Sequence, residues 1–157
     1  MDIKELIQTC LQEGQVLDLE KRVIGDEGVS RLAKMDILSQ VNRLELGDNE
    51  ISDAGVQALA ASPHVINLKI LNLKSNKITA EGARTLANAA NLGNLDQLIL
   101  KFNDIGVEGA KSIADSETLQ KLTTLDLFRA RIGKEGTLAI KRSPLYKNLS
   151  RVRLSEI

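Results

Sequence analysis

Leu44-Glu45-Leu46-Gly47-Asp48-Asn49-Glu50-Ile51-Ser52-Asp53-Ala54-Gly55 is the stretch that decides the fold. Its leucines alternate with other residues, as in a strand with one buried face. An asparagine, an isoleucine and a glycine follow at fixed offsets. The same order returns every 27 residues. Val41, Leu68, Leu95, Leu122 and Leu149 open the units, and Leu44, Leu71, Leu98, Leu125 and Val152 come three residues later. Leu46, Leu73, Leu100, Leu127 and Leu154 stand two further on, and Leu17 and Leu19 precede Leu44 and Leu46 by one period. Ile24, Ile51, Ile78, Ile105 and Ile132 obey the ruler, as do Gly28, Gly55, Gly82, Gly109 and Gly136. No insertion breaks the register from Gly14 onward. A period of this length marks stacked repeats, because no single unit can bury its apolar face alone.

Each unit reads as strand, turn and helix. Asn49, Asn76 and Asn103 stand where a side-chain amide can satisfy backbone groups of the turning chain. Val56, Leu59 and Ala60 then form one apolar helical face, matched by Ala83, Leu86, Ala87 and by Ala110, Ile113, Ala114. Asp53, Glu81 and Glu108 lie near helix starts, where the macrodipole favours negative charge. Helices are wider than strands, so stacking curves the array with its strands inside. The expected architecture is α/β: a curved solenoid of 27-residue repeats over 14–157, parallel strands on the concave face and helices on the convex face. It contains five full repeats plus a final strand. Residues 1–13 read as an N-terminal capping helix with Ile3, Leu6, Ile7, Cys10 and Leu11 in its apolar stripe. The asparagine series fails at Arg22 and Ala130. Those turns are expected to be looser, most of all around Arg129-Ala130-Arg131.

The units Leu44 to Gly55 and Ile24-Gly25-Asp26-Glu27-Gly28-Val29 resemble leucine-rich repeats of the ribonuclease-inhibitor type, over residues 14–157. The cysteine-containing repeat of F-box proteins shares the Ile-x-Asp-x-Gly segment, but the asparagines here favour the first subtype. The resemblance implies a leucine-rich-repeat solenoid that binds a protein partner on its concave face without catalysing a reaction. It extends to repeat proteins that activate Ran-type GTPases, which implies an alternative: regulation of a small GTPase by an Asn or Arg at a strand-end loop. A further alternative is a structural segment of a larger assembly.

Composition agrees with thin stacked layers. Hydrophobic residues make up 43% of the 157, yet aromatics only 2%, so the core must be Leu, Ile, Val and Ala. Lys plus Arg and Asp plus Glu both number 21, which argues against a general nucleic-acid binder. The single Cys10 cannot form an intramolecular disulfide and reads as a small buried hydrophobe. The charged N-terminus lacks a signal-peptide core, and no stretch of about 18 apolar residues exists to span a membrane. The expected compartment is the cytoplasm, with Asn148-Leu149-Ser150 a chance glycosylation motif.

No catalytic constellation emerges. His64 is the sole histidine, beside Pro63 in a loop, and the glycines are spaced by the repeat rather than by a phosphate loop. No cofactor and no metal site is expected. Asp18 and Glu45 share one strand position a repeat apart, so about 4.8 Å should separate their backbones. With Glu20, Asp48 and the adjacent Arg43 they read as a solvated or salt-bridged acidic patch rather than a cation site.

The period also maps the outward surface. Its N-terminal end is mostly acidic. The C-terminal half mixes cations with apolar groups, including Phe102 and Phe128 on adjacent repeats. Both phenylalanines either anchor a partner or pack inward beneath the turn. The candidate partner-binding set is Lys74, Ile99, Lys101, Phe102, Asp126, Phe128, Arg129, Arg151 and Arg153. Its chemistry suits an acidic and apolar protein surface, with neither nucleic acid nor membrane as partner. Arg151 and Arg153 can equally guard the last strand against edge-to-edge pairing, and self-association at that edge is the other expectation there.

Overall fold

The alternating leucines form strands wherever the ruler places them. A computed structural model describes residues 2–156. Helix α1 (Ile3–Cys10) and strand β1 (Leu11–Gln12) lead into β2 (Val16–Asp18). There follow α2 (Gly25–Leu32), β3 (Arg43–Glu45), α3 (Asp53–Ala60), β4 (Ile70–Asn72) and α4 (Ala80–Ala87). The chain continues through β5 (Gln97–Ile99), α5 (Gly106–Ala114), β6 (Thr124–Leu127), α6 (Gly133–Arg142) and β7 (Arg151–Leu154). The strands form one sheet in chain order. β2 to β7 pair in parallel, and Leu17 faces Leu44, which faces Leu71, then Leu98, Leu125 and Val152. Every partner lies one 27-residue period away, so the expected solenoid is the observed one. The second and third leucines of β2 to β6 are wholly buried, as are Ile51, Ile78, Ile105 and Ile132. Burying each such side chain stabilises by about 1.5–3 kcal/mol.

The repeated helix glycine is a packing requirement. A Cβ on Gly55 would lie 2.8 Å from Ile51 Cγ2 and 2.5 Å from Asp26 Oδ1 of the preceding repeat. On Gly109 it would meet Ile105 Cγ2 at 2.5 Å and Ala83 Cβ at 3.1 Å. Each helix therefore lies against both its own isoleucine and its neighbour.

Polar ladders fix the stacking. Asn49, with no exposed surface, accepts at Oδ1 from the N–H groups of Arg22 (3.0 Å) and Ile24 (3.3 Å). Its Nδ2 donates to the carbonyls of Leu19 (2.8 Å) and Gly47 (3.0 Å). Asn76 repeats this towards Asn49 and Ile51, and Asn103 accepts from the Ile78 N–H. Each amide thus serves the turn of the repeat before it. This relocates the expected looseness. Arg22's own turn is bonded by Asn49 at the Arg22 and Ile24 amides. Ala130 is buried, and its lack of an amide is felt one repeat earlier, at the Asn103 and Ile105 N–H groups that position 130 would serve.

A second ladder runs the other way. Asp26 accepts from Ser52 N (2.7 Å), Ser52 Oγ (2.5 Å) and Gly55 N (3.0 Å), and Asp53 repeats this with Thr79 and Gly82. Ser52 and Thr79 are also the N-caps of α3 and α4. Asp53 therefore spends its carboxylate on the next repeat, a stronger role than the dipole contact its position suggested.

The N-terminal segment departs from expectation in one respect. Ile3, Leu6, Ile7 and Cys10 are the buried face of α1, but the helix ends before Leu11. Leu11–Gln12 instead pairs antiparallel with β2, Leu11 facing Leu17. Gly14 (φ +78°) and Gln15 (φ +65°) make the tight return. A hairpin here covers the sheet edge that a helix alone would leave open.

Replacing Asn49 with Ala should cost about 3 kcal/mol, since it strands several backbone groups away from water. Chemical denaturation measures the loss, and hydrogen exchange should quicken first at the Arg22 and Ile24 amides. Ala130→Asn should do the opposite, adding about 1 kcal/mol by bonding the Asn103 and Ile105 amides.

Candidate interaction surface

The strand-end turns repeatedly use left-handed backbone. Phe102 (φ +58°), Arg129 (φ +50°) and Arg131 (φ +59°) all adopt it. This conformation turns their side chains off the strand line, and Phe102 remains 44% exposed instead of packing inward. Its ring meets that of the half-buried Phe128 edge-on, with centroids 5.9 Å apart and planes at 81°. The Arg153 guanidinium lies 4.5 Å from the Phe128 centroid and that of Arg129 5.5 Å. Both distances are within cation–π range. Phe128 is thus a platform that holds two guanidinium groups, and Phe102 is the apolar group left facing solvent.

Asp126 is only 8% exposed. Its Oδ1 accepts from the Phe128 N–H (3.0 Å) and its Oδ2 from Arg153 (3.5 Å). It therefore shapes the turn and orients Arg153 rather than presenting a free carboxylate. Ile99 and Lys101 lie half-buried beside the aromatic pair, and Arg151 is exposed on β7. An open groove of about 550 Å³ adjoins them, lined by Lys77, Phe102, Asp104, Arg129 and Arg131 among others. Lys77, Asp104 and Arg131 share one column of the 27-residue ruler. Extending the outward map by two positions would have found them.

Lys74 belongs elsewhere. Its chain crosses Gly47, where an added Cβ would lie 2.8 Å from Lys74 Cε and 2.9 Å from Cγ. Its ammonium reaches Glu20, two repeats away, at 2.7 Å. The hydrogen bond from Lys74 holds the Glu20 carboxyl below the usual range, and Glu20 in turn raises the Lys74 pKa. Glu45, nearly buried, accepts from Arg43 at 2.6 Å. Asp18 accepts from the Glu20 N–H at 3.0 Å. Asp18, Glu20 and Glu45 are consequently ion-paired or turn-bonded.

Among the described residues no group of three His, Cys, Asp or Glu side chains could hold a metal ion. His64 lies in a single 3-10 turn (Pro63–Val65), its N–H donating to Ser62 Oγ. No helix among the described residues is long and apolar enough to cross a membrane. The strand-end asparagines are spent on the framework bonds described above.

An α/β solenoid whose parallel strands carry an outward-facing mixed surface defines the class. Residues 41–60, 66–87, 94–114 and 118–141 match the family model for the leucine-rich repeat, together more than half of the chain. The chain belongs to the leucine-rich repeat family. Among solved structures it is similar to the C-terminal domain of tropomodulin from Caenorhabditis elegans. That likeness has a TM-score of 0.63 at 16% identity, covering 94% of this chain and 93% of the other. It is also similar to a leiomodin-1 structure described as actin-binding site 2, with a TM-score of 0.54 at 17% identity, covering 99% and 79%. An internalin from Listeria monocytogenes matches at a TM-score of 0.46 and 22% identity, over 80% of this chain. The chain spans only 37% of that internalin's length. At these identities the likeness is one of fold. Comparison with curated proteins finds no match.

In a Lys74→Met variant, carboxyl NMR should find Glu20 titrating at higher pH than in the wild type. Because the folded-state pKa of Glu20 is depressed, its contribution is present above the unfolded value of about 4.3 and is lost as pH falls through the folded value. The stability advantage of wild type over variant should therefore shrink on acidification.

Proposed function

We propose that this chain is a non-catalytic protein-interaction module that holds a partner on the C-terminal half of its strand face. The partner's surface is acidic and apolar. Phe102 is the central anchor, supported by Ile99 and Phe128, while Lys101, Arg129, Arg151 and the platform-held Arg153 supply the charge. The observation that carries this reading is the exposed Phe102 ring beside a Phe128 that fixes two arginines. Aromatic groups next to arginine are frequent anchors of protein interfaces, and held guanidinium groups lose less freedom on binding. Asp126 takes part only indirectly, by orienting Arg153, and Lys74 lies outside the contact.

Ribonuclease-inhibitor-like repeats, a cytoplasmic setting and a capping role for residues 1–13 are part of the same reading. The asparagine ladder, the absence of a membrane-spanning helix among the described residues and the α1–β1 hairpin support them in turn. An actin-type partner is the first to try, because one neighbour of this fold is described as an actin-binding site.

Affinity capture from the native cell extract, followed by titration calorimetry, tests the proposal. Phe102→Ala should weaken the captured complex at least about tenfold, and the Phe128→Ala/Arg129→Ala pair by a similar factor, with melting temperatures little changed. Wild-type affinity in both variants would place the partner elsewhere.

A further inference from the structure

A second surface lies at the opposite end of the solenoid, between α1 and the first full repeat. Ile3 and Leu6 of α1, Ile24, and the turn Lys21-Arg22-Val23 line an open groove of about 490 Å³ with Glu27 and Arg31 of α2. Its floor is aliphatic. Its rim carries three cations against one carboxylate, and that carboxylate, Glu27, is already paired with Arg31 at 2.7 Å.

Val23 sets this groove apart. It is 69% exposed, at φ +53°. The equivalent Glu50 and Arg131 share the left-handed backbone, both at φ +59°, but only here does a β-branched residue occupy it. Such a residue is disfavoured there, and such strain persists only where the surroundings impose it. The surroundings do so: Asn49 Oδ1 binds the amides on either side of Val23, and the Lys21 and Gly25 amides bond the carbonyls of Gly47 and Asn49. Asn49 therefore pins the backbone on both sides of an exposed apolar residue at the mouth of a basic-rimmed groove. Arg22 stands where later repeats need an asparagine for the turn before them. The first full repeat has no such turn to serve, so the position is free to carry charge.

We propose that this groove binds a short protein segment in which aliphatic side chains alternate with carboxylates. The aliphatic floor and Val23 would take the apolar side chains, and Lys21 and Arg22 the carboxylates. The groove has no aromatic residue to stack a base, which argues against nucleic acid. Its recessed, side-chain-sized form suits a peptide better than a bilayer. This site is independent of the Phe102 surface, and either can fail alone.

The test is methyl NMR of the whole chain, titrated with the blocked peptide Glu-Leu-Asp-Ile-Glu and with Lys-Leu-Lys-Ile-Lys as control. The acidic peptide should shift the Ile3, Leu6, Val23 and Ile24 methyls saturably, and the basic one should not. Val23→Asn relieves the left-handed strain, since asparagine tolerates that conformation. The variant should melt at the same or a higher temperature yet bind the acidic peptide at least about tenfold more weakly. Arg22→Glu should abolish the shifts while leaving the fold intact. No saturable shift, equal shifts with both peptides, or undiminished binding by Val23→Asn would overturn the proposal. So would shifts produced only by single-stranded DNA or by phosphatidylserine vesicles.

Discussion

The side-chain amide of Asn49 satisfies four backbone groups that neither a strand nor a helix could reach. The turn from strand to helix breaks regular hydrogen bonding, and the repeat buries that turn against its neighbour. An unpaired peptide group there would cost about 1–3 kcal/mol. Placing one amide per repeat at Asn49, Asn76 and Asn103 removes that cost and locks each turn to the one before it. This link runs alongside the constant register from β2 to β5, and the leucine columns carry the same register on to β7.

The same link shapes what the surface can present. On the outer side of these turns, residues of several types adopt left-handed backbone. Val23, Phe102, Arg129 and Arg131 all do so. At the first turn the Asn49 bonds hold the backbone on both sides of the exposed Val23, whereas the exposed Phe102 lies against the Phe128 ring. Towards the N-terminal end the charges are paired: Lys74 lies over Gly47 to reach Glu20, and Glu45 is bound by Arg43.

The period made the strands, the helices, the buried leucines and the helix glycines readable, because a side chain's depth in a stacked repeat follows from its place on the ruler. Long side chains escape that rule. Lys74 and Phe128 occupy the same column, yet one spans two repeats to a carboxylate while the other lies flat beneath arginines. Asp126 looked outward by alternation but folds back onto its own turn, as Asp18 and Asn72 also do. The forward ladder was visible in principle. Asp26 and Asp53 precede repeats that start with Ser52 and Thr79, whereas Ala80 and Val107 precede Gly106 and Gly133. Leu11 fits a helical stripe and a strand equally well, and only the edge of β2 decides between them.

Ala130 leaves one joint of the array without its amide, and that joint lies between the repeats that carry Phe102 and Phe128. A ligand resting on both rings would bridge the gap from outside. Occupancy of the surface and cohesion of the last two repeats are then a single equilibrium: whatever binds across the joint also tightens it, and whatever loosens the joint weakens binding.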